Sequence, residues 1–177
     1  MRALTDAQRL QSLMRRLSEQ PKATGTIYFA GGATAVLLGW RSTTIDVDMK
    51  LEGDAESLLR AIPALKEDLD INVELASPED FIPTLPGWRD RNIFVCREGR
   101  LDFYHYDLYS QLLSKIERGH EQDTADVREI LSRGYVERSK AFDLFAAIEP
   151  ELYRFPAIDP ATFRRRVEQA LGTPDGT

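Results

Sequence analysis

Basic charge, sulfur and imidazole are all scarce in this chain, and each scarcity removes a class of function. Its 177 residues carry 23 Lys and Arg against 29 Asp and Glu, a formal net charge of −6. That balance excludes a surface coated in positive charge for non-specific nucleic-acid binding, so any contact with RNA or DNA has to be focused. The single Cys96 excludes an internal disulfide and a cysteine-rich metal site, and two histidines, His105 and His120, are too few for a histidine-built zinc centre. No stretch approaches the roughly 18 apolar residues of a membrane span, and "MRALTDAQRLQSLMRRLSEQ" shows helical spacing in place of a signal peptide's continuous apolar core. No membrane partner and a cytoplasmic location are expected. With 42% hydrophobic and 29% charged residues, the composition is that of a folded chain able to bury a core.

Thr5 with Gln8 has the spacing of a capping box, and Leu10, Leu13, Met14 and Leu17 follow on one helical face. "GTIYFA" reads as a strand that runs into Gly31 and Gly32, and "ATAVLLGW" as a short buried helix ended near Gly39. In "TTIDVDMK" the period-two rule sets Thr44, Asp46 and Asp48 on one face and Ile45, Val47 and Met49 on the other. A helix interrupted near Pro63 and a second alternating strand, "INVELA", come next, with Ile71, Val73 and Leu75 opposite Asn72 and Glu74. "SPEDFIPTLPGW" is a proline-rich loop, and residues 92–106 form a hairpin around Gly99. Asp107 caps a helix that stops at Gly119, Asp123 caps another, and Asp159-Pro160 opens the last, with Gly172 behind it. The fold class expected is α+β: a small mixed sheet flanked by helices, with C-terminal helices. One domain is expected over 1–177, comprising an α/β core at 22–106, a helical part at 107–171 and a flexible tail at 172–177.

Two carboxylates one residue apart on a strand project the same way, with α-carbons about 7 Å apart. That spacing suits one or two hard cations held by oxygen, Mg²⁺ or Mn²⁺ first among them. A solvated strand face is the competing explanation of Asp46 and Asp48, but aspartate is a poor strand former and two of them between Ile, Val and Met call for a reason. A Gly-Gly turn between strand and helix lets a phosphate approach the backbone, although a plain tight turn is the commoner explanation of an isolated glycine pair. Taken together, a phosphate cradle and a cation pair on adjacent elements fit a metal-bound nucleotide.

The order strand, Gly-Gly, short helix, hydrophobic-Asp-hydrophobic-Asp in "FAGGATAVLLGWRSTTIDVD" resembles the nucleotidyltransferase-fold superfamily of polymerase-β-like and minimal nucleotidyltransferases. Within it the chain looks most similar to a bacterial nucleotidyltransferase-like group related to AbiEii-type toxins. The resemblance implies that Gly31 and Gly32 receive the triphosphate of a nucleoside triphosphate, that Asp46 and Asp48 bind two divalent cations, and that a later strand adds a third carboxylate. Glu74 and Asp102 compete for that place; chain order and alternation favour Glu74, and "VELAS" resembles the acid strand of minimal nucleotidyltransferases. The helix in "LLSKIERGHEQDTADVREIL" resembles one whose lysine meets nucleotide phosphate, which points to Lys115; an ordinary solvent-facing lysine is the other reading. The implied reaction is metal-dependent transfer of a nucleotidyl group to an acceptor hydroxyl on RNA or protein, in a toxin-antitoxin setting with a cognate partner. The alternative is a non-catalytic nucleotide-binding or antitoxin-like protein of the same fold. Arg164, Arg165 and Arg166 fan out around a helix and read as a solvated face, and Trp88 either stacks a base or plugs its own loop.

Overall fold

A computed structural model describes residues 2–173. The flexible tail expected at 172–177 therefore falls, from residue 174 on, outside the described residues. The contacts divide the chain into two units, residues 1–77 with 93–106 and residues 78–92 with 107–177.

The first unit is built on a mixed five-stranded sheet. In chain order its elements are β1 (Thr5–Asp6), α1 (Ala7–Ser18), β2 (Thr24–Ala30), α2 (Gly31–Leu37), β3 (Thr43–Thr44), β4 (Asp46–Asp54), α3 (Glu56–Asp68), β5 (Asn72–Glu74), β6 (Ile93–Glu98) and β7 (Leu101–His105). The sheet order is β5-β4-β2-β7-β6, and β1 and β3 pair separately. β2 lies centrally, antiparallel to β4 and parallel to β7. Ile27, Phe29, Val47, Met49, Val73, Leu101 and Phe103 alternate onto one face and join Leu10, Leu13, Met14 and Leu17 of α1 and Leu58, Ile62 and Leu65 of α3 in one core. Full burial of such a side chain stabilises by about 1.5–3 kcal/mol, so this face fixes the register. The opposite face carries Asp46, Asp48, Tyr28 and Tyr104, none of which belongs to that core cluster.

Four local expectations change. Asp6, not Thr5, caps α1, accepting from Arg9 N at 2.9 Å. Thr5 is fully buried because it pairs with Thr44 across β1 and β3, a contact between distant segments that local capping rules do not contain. The alternation in "TTIDVDMK" starts only at Asp46: the chain bends at Ile45, which is 69% exposed, where the Thr44 hydroxyl donates to Asp46 O at 3.0 Å. β5 ends at Glu74, so Leu75 is exposed, while α3 runs through Pro63 without interruption.

The second unit consists of two short 3-10 turns (Pro78–Asp80 and Trp88–Arg91), α4 (Leu108–Arg118), α5 (Glu121–Ser132), α6 (Arg138–Ile148), a 3-10 segment (Glu149–Arg154) and α7 (Pro160–Leu171). Asp107 caps α4 as its spacing predicts, and it is wholly buried: its carboxylate takes both Arg91 Nε at 3.0 Å and Nη2 at 2.8 Å, besides the Ser110 hydroxyl. This bidentate pair ties the proline-rich loop to the start of α4. Trp88 is buried, which withdraws its ring from stacking on a base, and the Arg89 guanidinium lies over it. Asp159 caps α7 through Thr162 N, and Gly172 ends it. Phe145 and Phe163 meet edge to face at 5.0 Å in the core between α6 and α7.

His105, at the end of β7, is buried, with Nδ1 3.0 Å from the Thr34 hydroxyl. Burial lowers its pKa from 6.5 to about 4. The folded imidazole stays neutral while the unfolded one binds a proton below about 6.5, so the unfolded state gains protons in this window. Stability is therefore complete above that pH and falls as pH drops toward 4. Urea unfolding of the intact chain should show about 2 kcal/mol less stability at pH 5 than at pH 7 from this group, a difference that His105→Gln abolishes. The same pH slope in both proteins would refute this assignment.

Candidate active site

The antiparallel pairing of β2 with β4 places Asp48 opposite Ala30, one residue before the glycine turn. Val47 and Met49 are fully buried between and beyond the aspartates, which leaves Asp46 and Asp48 half-buried on the other face. β5 runs parallel to β4 in a register that sets Asn72 against Asp46 and Glu74 against Asp48. Three carboxylates thus belong to one patch of one sheet face. Asn72, unsingled by sequence reasoning, bridges them: its Nδ2 donates to Asp46 Oδ1 at 2.6 Å and lies 3.4 Å from Glu74 Oε1. Its position two residues before Glu74 on an alternating strand was the available signal. Among the described residues no three His, Cys, Asp or Glu side chains converge as a metal-holding group. Mutual repulsion spreads like charges, and the Asn72 amide supplies a donor where they would otherwise face one another.

The glycines have a packing reason that the sequence did not show. Gly31 has φ +57°, and a Cβ there would fall on Asp48 Oδ2. Its missing side chain is the space the carboxylate occupies. A Cβ on Gly32 would fall on the Thr44 hydroxyl, with an Arg41 guanidinium nitrogen 3.3 Å away. All five residues belong to the first unit: Asp46, Asp48 and Glu74 occupy neighbouring positions of its sheet, and Gly31 and Gly32 open α2 directly after β2.

Asp102 shares the face but sits at the other end of the sheet. It pairs in register with Thr26, four residues before Ala30, and its carboxylate is occupied by Arg97 in a bidentate ion pair at 2.6 and 2.8 Å. That bond holds the Asp102 carboxyl below the usual carboxylate range. Next to the acid row lies an aromatic one: Tyr28, Tyr104 and Phe94 stand in register across β2, β7 and β6, with Lys50 of β4 beside Tyr28. Phe94 is 56% exposed and meets Tyr104 edge-on at 5.4 Å, a surface able to stack a base.

Lys115 lies in the second unit and is buried rather than solvent-facing. Its Nζ is 2.7 Å from Asp126 Oδ2 and 3.3 Å from Asp123 Oδ1, and Arg118 also bonds Asp123 at 2.7 Å. The expected cap role of Asp123 is corrected accordingly: α5 starts two residues earlier, at Glu121, and Asp123 turns inward to these cations.

A mixed sheet with a glycine turn at the end of its central strand and an Asp pair on the adjoining strand defines a nucleotidyltransferase-like fold. The chain belongs to the family described as a nucleotidyltransferase of unknown function (DUF6036), whose model matches residues 6–145. No curated protein and no solved structure matches it. Among the described residues no helix is long and apolar enough to cross a membrane.

Removing Lys115 leaves two buried carboxylates with one cation. Lys115→Ala is expected to lose about 3–5 kcal/mol of unfolding free energy, measured by urea titration at pH 7. A loss under about 1 kcal/mol would mean that the buried cluster does not depend on this ammonium.

Proposed function

We propose that the chain transfers a nucleoside monophosphate from a nucleoside triphosphate to an acceptor hydroxyl, using Asp46, Asp48 and Glu74. The observation that carries this reading is the parallel β4–β5 register, which aligns Glu74 with Asp48 on the face that already bears Asp46. The donor set is all oxygen and anionic, which fits a hard divalent cation and not a soft one. A bound Mg²⁺ or Mn²⁺ would supply Lewis-acid charge for the acceptor oxygen and the leaving pyrophosphate. In the reaction the acceptor oxygen forms a bond to the α-phosphorus, the α–β bridging P–O bond breaks, pyrophosphate leaves with that electron pair, and the hydroxyl proton passes to a carboxylate or to water. Asn72 holds Asp46 in orientation, and the Gly31 backbone leaves room for the Asp48 carboxylate. Lys115, committed to two buried aspartates, contributes to a phosphate site only through a rearrangement of that cluster.

The dispersed carboxylates favour a second reading, nucleotide binding without turnover. The two are separated by incubating the protein with each α-labelled triphosphate, Mg²⁺ or Mn²⁺, and total cellular RNA and protein: label on an acceptor supports transfer, and bound but untransferred nucleotide supports the second. A toxin role in the cytoplasm, with a cognate antitoxin, belongs to the first reading; growth arrest on expression, relieved by Asp46→Ala, is its expected sign.

Glu74→Gln should lower transfer at least about 100-fold, the scale of losing a group that acts in the transition state, and Asp102→Asn should leave it within a few-fold. Equal melting temperatures make the comparison valid. A dead Asp102→Asn with a normal Glu74→Gln would move the third carboxylate to β7.

A further inference from the structure

The second unit contains a cavity of about 660 Å³ whose lining comes from α4, α5 and α7 together with Arg138 at the start of α6. Its charged lining is entirely cationic: Arg128, Arg138 and Arg166, together with Lys115, and no carboxylate. The Lys115 ammonium is neutralised by Asp123 and Asp126, and Arg166 lies close enough to Glu117 to act on its carboxyl, so the charge without a carboxylate partner is that of Arg128 and Arg138. Elsewhere in this unit Arg91, Arg118, Arg133, Arg154 and Arg164 each bond a carboxylate, while the exposed Arg165 bonds the Thr162 hydroxyl. At the cavity the pattern differs. Among the described residues Arg138 bonds the Ala170 carbonyl at 2.6 Å, Arg166 bonds the Glu117 carbonyl and acts on the Glu117 carboxyl through charge alone, and Arg128 has no hydrogen bond or ion pair.

Capping of helix C-termini explains one N–H on each of Arg138 and Arg166, at the ends of α7 and α4. A guanidinium has five donors, so the capping leaves both with most of theirs, and leaves Arg128 unexplained. Gly119 makes this arrangement possible, since a Cβ there would lie 3.1 Å from Arg166 Cζ. Ile116, Val127 and Leu131 add an apolar wall. Three guanidinium forks beside an apolar wall, in a volume typical of small-ligand sites, match an anion attached to a ring. In a chain of net charge −6, such a lining concentrates anions locally.

We propose that this cavity binds a phosphate-bearing organic anion of mononucleotide size, through Arg128, Arg138 and Arg166, at residues separate from the carboxylates of β4 and β5. It goes beyond the transfer reading and does not depend on it.

The test is calorimetric titration of the full chain, in EDTA, with AMP, inorganic phosphate and adenosine. AMP should saturate one site, and adenosine should bind at least about tenfold more weakly, because it lacks the charged group the forks hold. The Arg128→Gln/Arg138→Gln double variant should weaken AMP by about tenfold or more with an unchanged melting temperature. Both positions are exposed, and the single capping bond that Arg138 gives the Ala170 carbonyl contributes little to stability, so the fold is kept. The Asp46→Asn/Asp48→Asn double variant should bind AMP as the unaltered chain does. Absence of saturable AMP binding, equal affinity for adenosine, indifference to the arginine changes, or loss in the aspartate variant would each overturn the assignment. Because the titration excludes divalent metal, failure of nucleotidyl transfer leaves its outcome untouched.

Discussion

Burial of Val47 and Met49 is the constraint on which the acid face depends. Both side chains are fully removed from solvent, and a strand alternates, so Asp46 and Asp48 have only one face available. A one-residue slip of β4 would drive both carboxylates into the apolar core, where unpaired charge is prohibitively costly. The hydrophobic core therefore does more than stabilise the sheet: it sets the face on which both carboxylates stand. The neighbouring strands then complete the arrangement, β2 by bringing the Gly31 turn against Asp48 and β5 by aligning Asn72 and Glu74.

What could be read from sequence was what is local. Strand, glycine turn and helix follow from residues within a dozen positions, and so do the Asp107 and Asp159 caps and the hairpin at Gly99. What escaped was set by distant partners. Thr5 has a good capping pattern, but pairing with Thr44 claims it and hands the cap to Asp6. Ile45 and Leu75 continue apolar alternation on paper, yet both lie just outside the ladder that would bury them. The family relationship was legible because its motif is contiguous; the packing reasons for Gly31 and Gly32 were not, because Asp48 and Thr44 approach them in space.

Charge is distributed in two distinct ways in the helical unit. The buried ions are balanced, with Lys115 and Arg118 against Asp123 and Asp126, as burial in a low-dielectric interior demands. Of the cavity arginines, Arg166 is partly balanced by Glu117, while Arg128 and Arg138 have no carboxylate partner among the described residues, and their exposure to solvent is what permits this. Of the run Arg164 to Arg166, the first pairs with Glu149 and the last faces the cavity, so the three residues fan out as helical geometry requires.

The central proposal is that Asp46, Asp48 and Glu74 together take up one divalent cation. Electron paramagnetic resonance of Mn²⁺ titrated into the protein tests it most directly, since bound and free ion give distinct signals. The account predicts saturable Mn²⁺ binding that weakens at least about tenfold in Asp48→Asn and in Glu74→Gln, because each removes a charged ligand. Mn²⁺ affinity equal in the unaltered protein and both variants would contradict it.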